Sequence, residues 1–114
     1  SLHVPLVPNT HHLINEKAIK KMKKGVILIN VSRGGIIDTQ ALLKNMERFR
    51  YICLDVLEDE KNFSKDNPLL KFQEKVLITP HCAFFTEVTM PRACQETEEN
   101  IKRFQKGDSH NRLI

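Results

Sequence analysis

No run in this 114-residue sequence approaches the roughly 20 consecutive apolar residues that a membrane-spanning helix needs. The first residues, SLHVPLVPN, show no basic stretch followed by a long apolar one, so no secretory leader is expected. Cysteine is sparse. Cys53, Cys82 and Cys94 do not make a disulfide framework, which points to a reducing, cytoplasmic setting with buried free thiols. Low-complexity segments and internal repeats are missing too. The net charge is +4, and much of the excess sits in Lys17, Lys20, Lys21, Lys23 and Lys24. Neither stacking aromatics nor a nucleic-acid motif accompanies these lysines. They read as a solvated helix face whose cations suit a helix C-terminus, and no nucleic-acid or membrane partner is expected.

What remains is ordinary globular material, 40% apolar and 28% charged, long enough for one compact domain with a real core. Strand and helix signals alternate along it. LHVPL opens as a short extended segment. Asn15 can cap a helix over about residues 16–24, with Gly25 as its stop. VILIN, residues 26–30, is a continuous apolar run that suits a parallel strand covered on both faces. After an SRGG turn, Asp38 or Thr39 can cap a helix over about 40–48. YICLDV (51–56) and VLITP (76–80) read as two further buried strands, with a polar loop between them that holds at most a helical turn at 68–72. A long helix ends near Gly107. Its start at Thr86 would leave Pro91 just past the first turn, whereas a start at Thr89 places Pro91 inside that turn, where a missing N–H matters little. The last residues, 109–114, read as a loose tail.

Strands alternating with helices imply right-handed crossovers and a parallel sheet flanked by helices. Ligands of such sheets bind beyond the carboxyl ends of the strands. That edge collects Arg33 after the first strand, Glu60 after the second and His81 after the third. A guanidinium grips a carboxylate through two hydrogen bonds. A histidine exchanges protons near neutrality, and a carboxylate beside it favours the imidazolium and holds the ring. Together the three suit a 2-keto or 2-hydroxy acid, with the hydride coming from a nicotinamide. Taken singly, each has a plainer role. Arg33 can bond loop carbonyls, Glu60 can belong to a solvated acidic run with Glu58 and Asp59, and His81 can be a turn residue. The set contains no metal site.

The stretches LHVPLVPNTHHLIN, KKGVILINVSRGGIIDTQALL, CLDVLEDE and VLITPHCAFFTE, in this order, resemble the D-isomer-specific 2-hydroxyacid dehydrogenase family, and within it the D-lactate branch, to which the pair Phe84–Phe85 is similar. The resemblance implies an α/β fold, a partial Rossmann-like parallel sheet flanked by helices with a long C-terminal helix, in which residues 1–108 form the C-terminal half of an NAD-binding domain. It implies NAD as cofactor and a small-molecule 2-keto or 2-hydroxy acid as substrate. Arg33 would hold the substrate carboxylate, His81 would be the acid/base and Glu60 its partner. Asp55 would face the nicotinamide carboxamide. Val4 and Pro5 would line the adenosine side with Thr10 nearby, and Val31, Ser32 and Arg33 would lie against the cofactor. Phe85 would flank the substrate or serve the core.

The departures from that family pattern are specific. The four glycines do not form GxGxxG, so the phosphate-binding turn and the acidic ribose ligand that follows it are missing from this stretch. The segment NMERFRYICLDV is shorter than usual by about two residues, which would shift Asp55 and Glu60 relative to Arg33. Leu57 replaces a common aromatic. Two readings follow. In one, these are residues of an NAD-dependent D-2-hydroxyacid dehydrogenase, D-lactate by preference, inactive without the rest of the cofactor site. In the other, the chain is a non-catalytic α/β fragment or interaction module that forms a homo-oligomer through an open sheet edge.

Overall fold

The computed structural model describes residues 1–108 and Asn111, so the expected loose tail lies outside the described residues except at that asparagine. The chain divides into two compact units, Ser1–Cys82 and Ala83–Ile114. Among the described residues no helix is long and apolar enough to cross a membrane.

In the first unit, Asn15 accepts a hydrogen bond from the Ala18 N–H at 3.0 Å and starts helix α1, Glu16–Lys21. The helix is one turn shorter than expected because a distant side chain takes over its C-terminal carbonyls. The Arg48 guanidinium donates to the carbonyl oxygens of Ile19 (3.2 Å), Lys20 (3.0 Å) and Met22 (2.9 Å). Gly25, at φ 77°, then reverses the chain. Arg48→Ala therefore leaves three carbonyls without their charged donor. A loss of about 2 kcal/mol is expected in urea denaturation, and Arg48→Lys is not expected to rescue it, because a lysine has no planar fork.

Strand β1 occupies Val26–Asn30, as its apolar run predicts. Asp38, not Thr39, caps the next helix, accepting from the Ala41 N–H at 2.9 Å. That helix, α2, spans only Thr39–Lys44. Asn45 turns its side chain back onto the Ala41 carbonyl at 2.8 Å, and the chain re-enters as a 3₁₀ turn at Met46–Arg48. Strand β2 is Phe49–Leu54, two residues earlier than expected, and β3 is Val76–Ile78, two residues shorter. A register shift between Val26 and Ile27 lets β2 begin at Phe49. The last ladder bond runs from the Thr79 N–H to the Leu54 carbonyl, and Pro80 has no N–H to continue it. The segment at 68–72 is a 3₁₀ helix.

The three strands form a parallel sheet in the order β1-β2-β3, and Leu2 adds a parallel bridge to Asn30. Ile19, Leu28, Leu42, Phe49, Ile52, Leu54 and Leu69 make the core on one side of it. The expectation of strands covered on both faces is corrected here. Ile27 (49% exposed), Ile29, Tyr51 and Leu77 (59%) stand open, because side chains alternate along a strand and only one face of this sheet carries the core. The expectation of buried thiols also fails: Cys53 is half-buried, and Cys82 and Cys94 are exposed. All three are free. The lysines of residues 17–24 are solvated, as their pattern suggested.

The second unit is built on helix α3, Thr89–Gln105. Of the two possible starts the helix takes Thr89. The Thr86 hydroxyl accepts from the Thr89 N–H at 3.0 Å, and Pro91 falls in the first turn. Gly107, at φ 76°, ends it, with the Asp108 N–H returning to the Arg103 carbonyl at 3.0 Å.

Candidate functional site

Parallel pairing aligns Asn30 with Leu54 and Leu54 with Ile78, so the chain leaves all three strands at one edge of the sheet. Asp55 follows β2 directly. Its carboxylate is 6% exposed and accepts from the Thr79 hydroxyl at 2.5 Å and from the Cys82 N–H at 2.9 Å. The turn after β3 is thereby tied to the turn after β2. His81 stands at φ 54°, a left-handed conformation that costs a non-glycine residue about 1–2 kcal/mol, and bonds to Asp55 on one side and within its own turn on the other maintain it. The His81 N–H reaches the Thr79 carbonyl at 2.9 Å.

This geometry brings His81 Nδ1 to 3.0 Å from Glu60 Oε1. Both side chains are a little over 40% exposed. They line a cavity of about 460 Å³ with Asp55, Leu57, Phe63 and Ile78. A carboxylate on Nδ1 orients the ring and favours the tautomer that carries its proton there. Of the residues the sequence nominated, His81, Glu60 and Asp55 thus share one cavity.

Arg33 lies at the end of β1. It is exposed, is not among the residues that line that cavity, and donates from Nη1 to the Ser32 carbonyl at 2.7 Å. It forms no salt bridge among the described residues, which keeps its charge available to an anion. Val31 is exposed. The Ser32 hydroxyl donates to the Val4 carbonyl and the Ser32 N–H donates to Asn30 Oδ1 at 3.1 Å, which joins the opening segment to the SRGG turn. Thr10 spends its hydroxyl inside its own loop. It donates to the Pro5 carbonyl at 2.5 Å and accepts from the Val7 N–H at 2.9 Å. Val4, Pro5, Thr10, Val31 and Ser32 therefore form a band beside Arg33 at the β1 end.

In the sequence Glu58 reads as one of a solvated run of acids. It is half-buried, with Oε1 2.6 Å from His12 Nε2 and Oε2 accepting from the Thr39 N–H at 3.2 Å. Burial pushes its pKa up, but the hydrogen bonds from His12 and Thr39 outweigh this and hold the carboxyl below its ordinary 4.5. A depressed carboxylate stabilises the fold above its unfolded pKa, and that contribution is lost as pH falls through the folded value. The stability gap between the natural chain and Glu58→Gln should be full at neutral pH and close below about pH 4.5, read from urea denaturation across pH.

His11, His12 and Glu58 bring potential metal-ligand atoms within 4.8 Å of one another. The two imidazoles are stacked, however, with centroids 3.9 Å apart and planes 26° from parallel. Ring planes so nearly parallel at that separation meet well beyond a metal–nitrogen bond of about 2.0–2.1 Å. The cluster works instead as a hydrogen-bonded bridge.

The family model described as "D-isomer specific 2-hydroxyacid dehydrogenase, NAD binding domain" matches residues 1–83. The chain is 41% identical to 2-hydroxyacid dehydrogenase homolog 1 of Schizosaccharomyces pombe, over 99% of this chain and 38% of that protein. It is 38% identical to a glyoxylate reductase of Korarchaeum cryptofilum, over 100% of this chain and 34% of that protein. Among solved structures it is similar to a D-lactate dehydrogenase from Aquifex aeolicus complexed with NAD and lactic acid, at a TM-score of 0.79 and 40% identity, covering 94% of this chain and 37% of that one. The chain spans a little over a third of the length of these relatives.

Proposed function

The chain belongs to the D-isomer specific 2-hydroxyacid dehydrogenase family, through its NAD-binding domain, and from that premise we propose that it carries the proton-transfer and acid-binding residues of an NAD-dependent D-2-hydroxyacid dehydrogenase. The observation that carries this reading is the His81–Glu60 pair, 3.0 Å apart in a cavity at the carboxyl ends of a parallel sheet.

The donor set fits the nicotinamide end of NAD. A buried carboxylate, Asp55, lines a cavity whose other walls include Leu57, Phe63 and Ile78, which suits a flat ring with one polar substituent. Asp55 would meet the carboxamide, and Val31 and Ser32 would lie along the ring from the β1 side. Val4, Pro5 and Thr10 would face the adenosine side. When bound, the reduced cofactor supplies the hydride that no side chain here can carry. Arg33 takes the carboxylate of the 2-keto acid in its planar fork. His81 gives a proton from Nε2 to the keto oxygen, and in the reverse direction takes it from the hydroxyl. Glu60 stabilises the imidazolium and holds the ring in line.

Among 2-keto acids we assign pyruvate, with D-lactate as the reduced product. The likeness to the lactate-complexed structure supports this, as does the Phe84–Phe85 pair that follows His81. The test is an NADH titration of this chain supplied with the rest of the cofactor site, the GxGxxG turn included, followed by nicotinamide fluorescence with and without pyruvate, and then NADH oxidation with pyruvate and glyoxylate as competing substrates. Pyruvate-dependent oxidation with a higher kcat/KM for pyruvate is the expected result. Preference for glyoxylate overturns the lactate assignment alone, and absence of NADH binding overturns the dehydrogenase reading.

A further inference from the structure

We propose that His12 and Glu58 are a positioning pair, whose bridge fixes the turn that presents Glu60 to His81. Three observations on different segments meet at this point. The first is the bridge itself. It joins residues 46 positions apart at 2.6 Å, and the second oxygen of Glu58 is held by the Thr39 N–H at the start of α2. Glu58 is therefore fastened on both oxygens.

The second is the backbone on either side. His12 stands at φ 50° and Asp59 at φ 55°, both left-handed and both unfavourable for these residues in isolation. The His12 N–H is pinned to the Gly35 carbonyl at 2.9 Å. Asp59 accepts at Oδ1 from the Asn62 side-chain amide at 2.7 Å, and its carbonyl accepts from the Asn62 N–H at 2.9 Å. Each left-handed residue is thus over-determined by its neighbours, and the bridge lies between the two.

The third is the close approach at Gly34. A Cβ built there would lie 2.0 Å from the Leu57 carbonyl carbon and 2.3 Å from the Glu58 nitrogen. The SRGG turn and the turn after β2 touch backbone to backbone. Glu60 begins two residues beyond Glu58, in the 3₁₀ turn Glu60–Asn62. Its direction toward His81 follows from where Glu58 is held. His12 is not among the residues that line the cavity, and its ring bonds to Glu58, so it acts through Glu58 and the turn.

The positional claim stands on the geometry alone, and its consequence for catalysis rests on the dehydrogenase reading above. His12→Ala is the informative variant, because it removes the bridge and leaves both carboxylates in place. The protein is nitrogen-labelled on histidine and the His81 Nδ1 resonance, which reports the hydrogen bond to Glu60, is compared by NMR at one fixed pH in the natural chain, His12→Ala, His12→Gln and Glu60→Gln. Glu60→Gln defines the displacement caused by loss of the pair. His12→Ala is expected to displace the His81 Nδ1 resonance in the same direction and at least half as far, with the amide spectrum of β1, β2 and β3 unchanged. His12→Gln, which keeps a donor toward Glu58, is expected to restore most of it. Should His12→Ala fail to fold, His12→Phe keeps the ring stacked on His11 and lacks only the donor. An unmoved His81 Nδ1 resonance in the folded bridge variant, beside a moved one in Glu60→Gln, overturns the proposal. A resonance unmoved in Glu60→Gln as well overturns it together with the His81–Glu60 pair on which the function reading depends. In turnover, His12→Ala is expected to lower kcat by about 10- to 100-fold while KM for the keto acid changes less than about twofold, because Arg33 is not displaced. A rise in KM with kcat intact would count against positioning.

Discussion

Gly34→Ala is expected to destabilise the first unit by about 3 kcal/mol, at the upper end of what overpacking costs. The added methyl would meet the carbonyl carbon and oxygen of Leu57 at 2.0 Å and the Glu58 nitrogen at 2.3 Å. These are backbone atoms, and they cannot rotate away as a side chain would. One turn or the other must move. The turn after β2 carries Leu57, at the cavity, and Glu58, which is bound to His12 and to the first turn of α2, so its displacement breaks several contacts together. Thermal unfolding should register the change as a fall in Tm of roughly 10–20 °C. Gly35→Ala is the control. Its Cβ would lie 3.2 Å from a Leu6 methyl, and Leu6 is 43% exposed and able to turn aside. A cost under about 1 kcal/mol is expected there. Equal effects at the two glycines would refute the close approach.

His81→Gln is expected to reduce kcat for keto-acid reduction by about 10²- to 10⁴-fold, the range a positioned acid/base contributes. Glutamine keeps a hydrogen-bonding group near Glu60 and cannot exchange a proton at neutral pH, so the loss is assigned to proton transfer and not to collapse of the cavity. NADH binding should survive, because His81 is proposed to meet the substrate oxygen and not the cofactor. Arg33→Ala should behave in the opposite way, mainly raising KM, since its fork is proposed to bind the carboxylate in ground and transition states alike. Steady-state kinetics with NADH in excess separates the two. Loss of NADH binding in His81→Gln, with the fold intact, would contradict the assigned roles.

How far the sequence could be read depended on the range of the interaction. VILIN appears as β1 over the expected residues, because a five-residue apolar run is a local signal. The Asn15 and Asp38 caps lie three residues from the amides they serve and are local as well. Helix ends and strand starts were misplaced wherever a distant group set them. Arg48 shortens α1 from more than 20 positions away, and a register shift against β1 starts β2 at Phe49. The His81–Glu60 pair was anticipated from three strand ends meeting on one edge, together with the family spacing after Asp55. Glu58 was lost in the same acidic run because its partners, His12 and the Thr39 N–H, come from two other turns. Solvation and bridging look alike until those turns are brought together.

The parallel order of the strands also has a kinetic consequence. Neighbouring parallel strands cannot be joined by a hairpin, so the contacts that tie one strand end to another come from distant parts of the chain. Glu60 and His81 are 21 positions apart, Asp55 and Cys82 are 27 apart, and His12 and Glu58 are 46 apart. Each contact must repay a large loop closure before it stabilises anything. The site therefore has no local precursor in the unfolded chain, unlike α1 or α2. In pulse-labelled refolding, the amides of Asp55 and Cys82, which bond across β1–β2 and between the turns after β2 and β3, should gain protection with the sheet and not before it. The geometry that joins His81 to Glu60 would then exist only where the whole sheet exists.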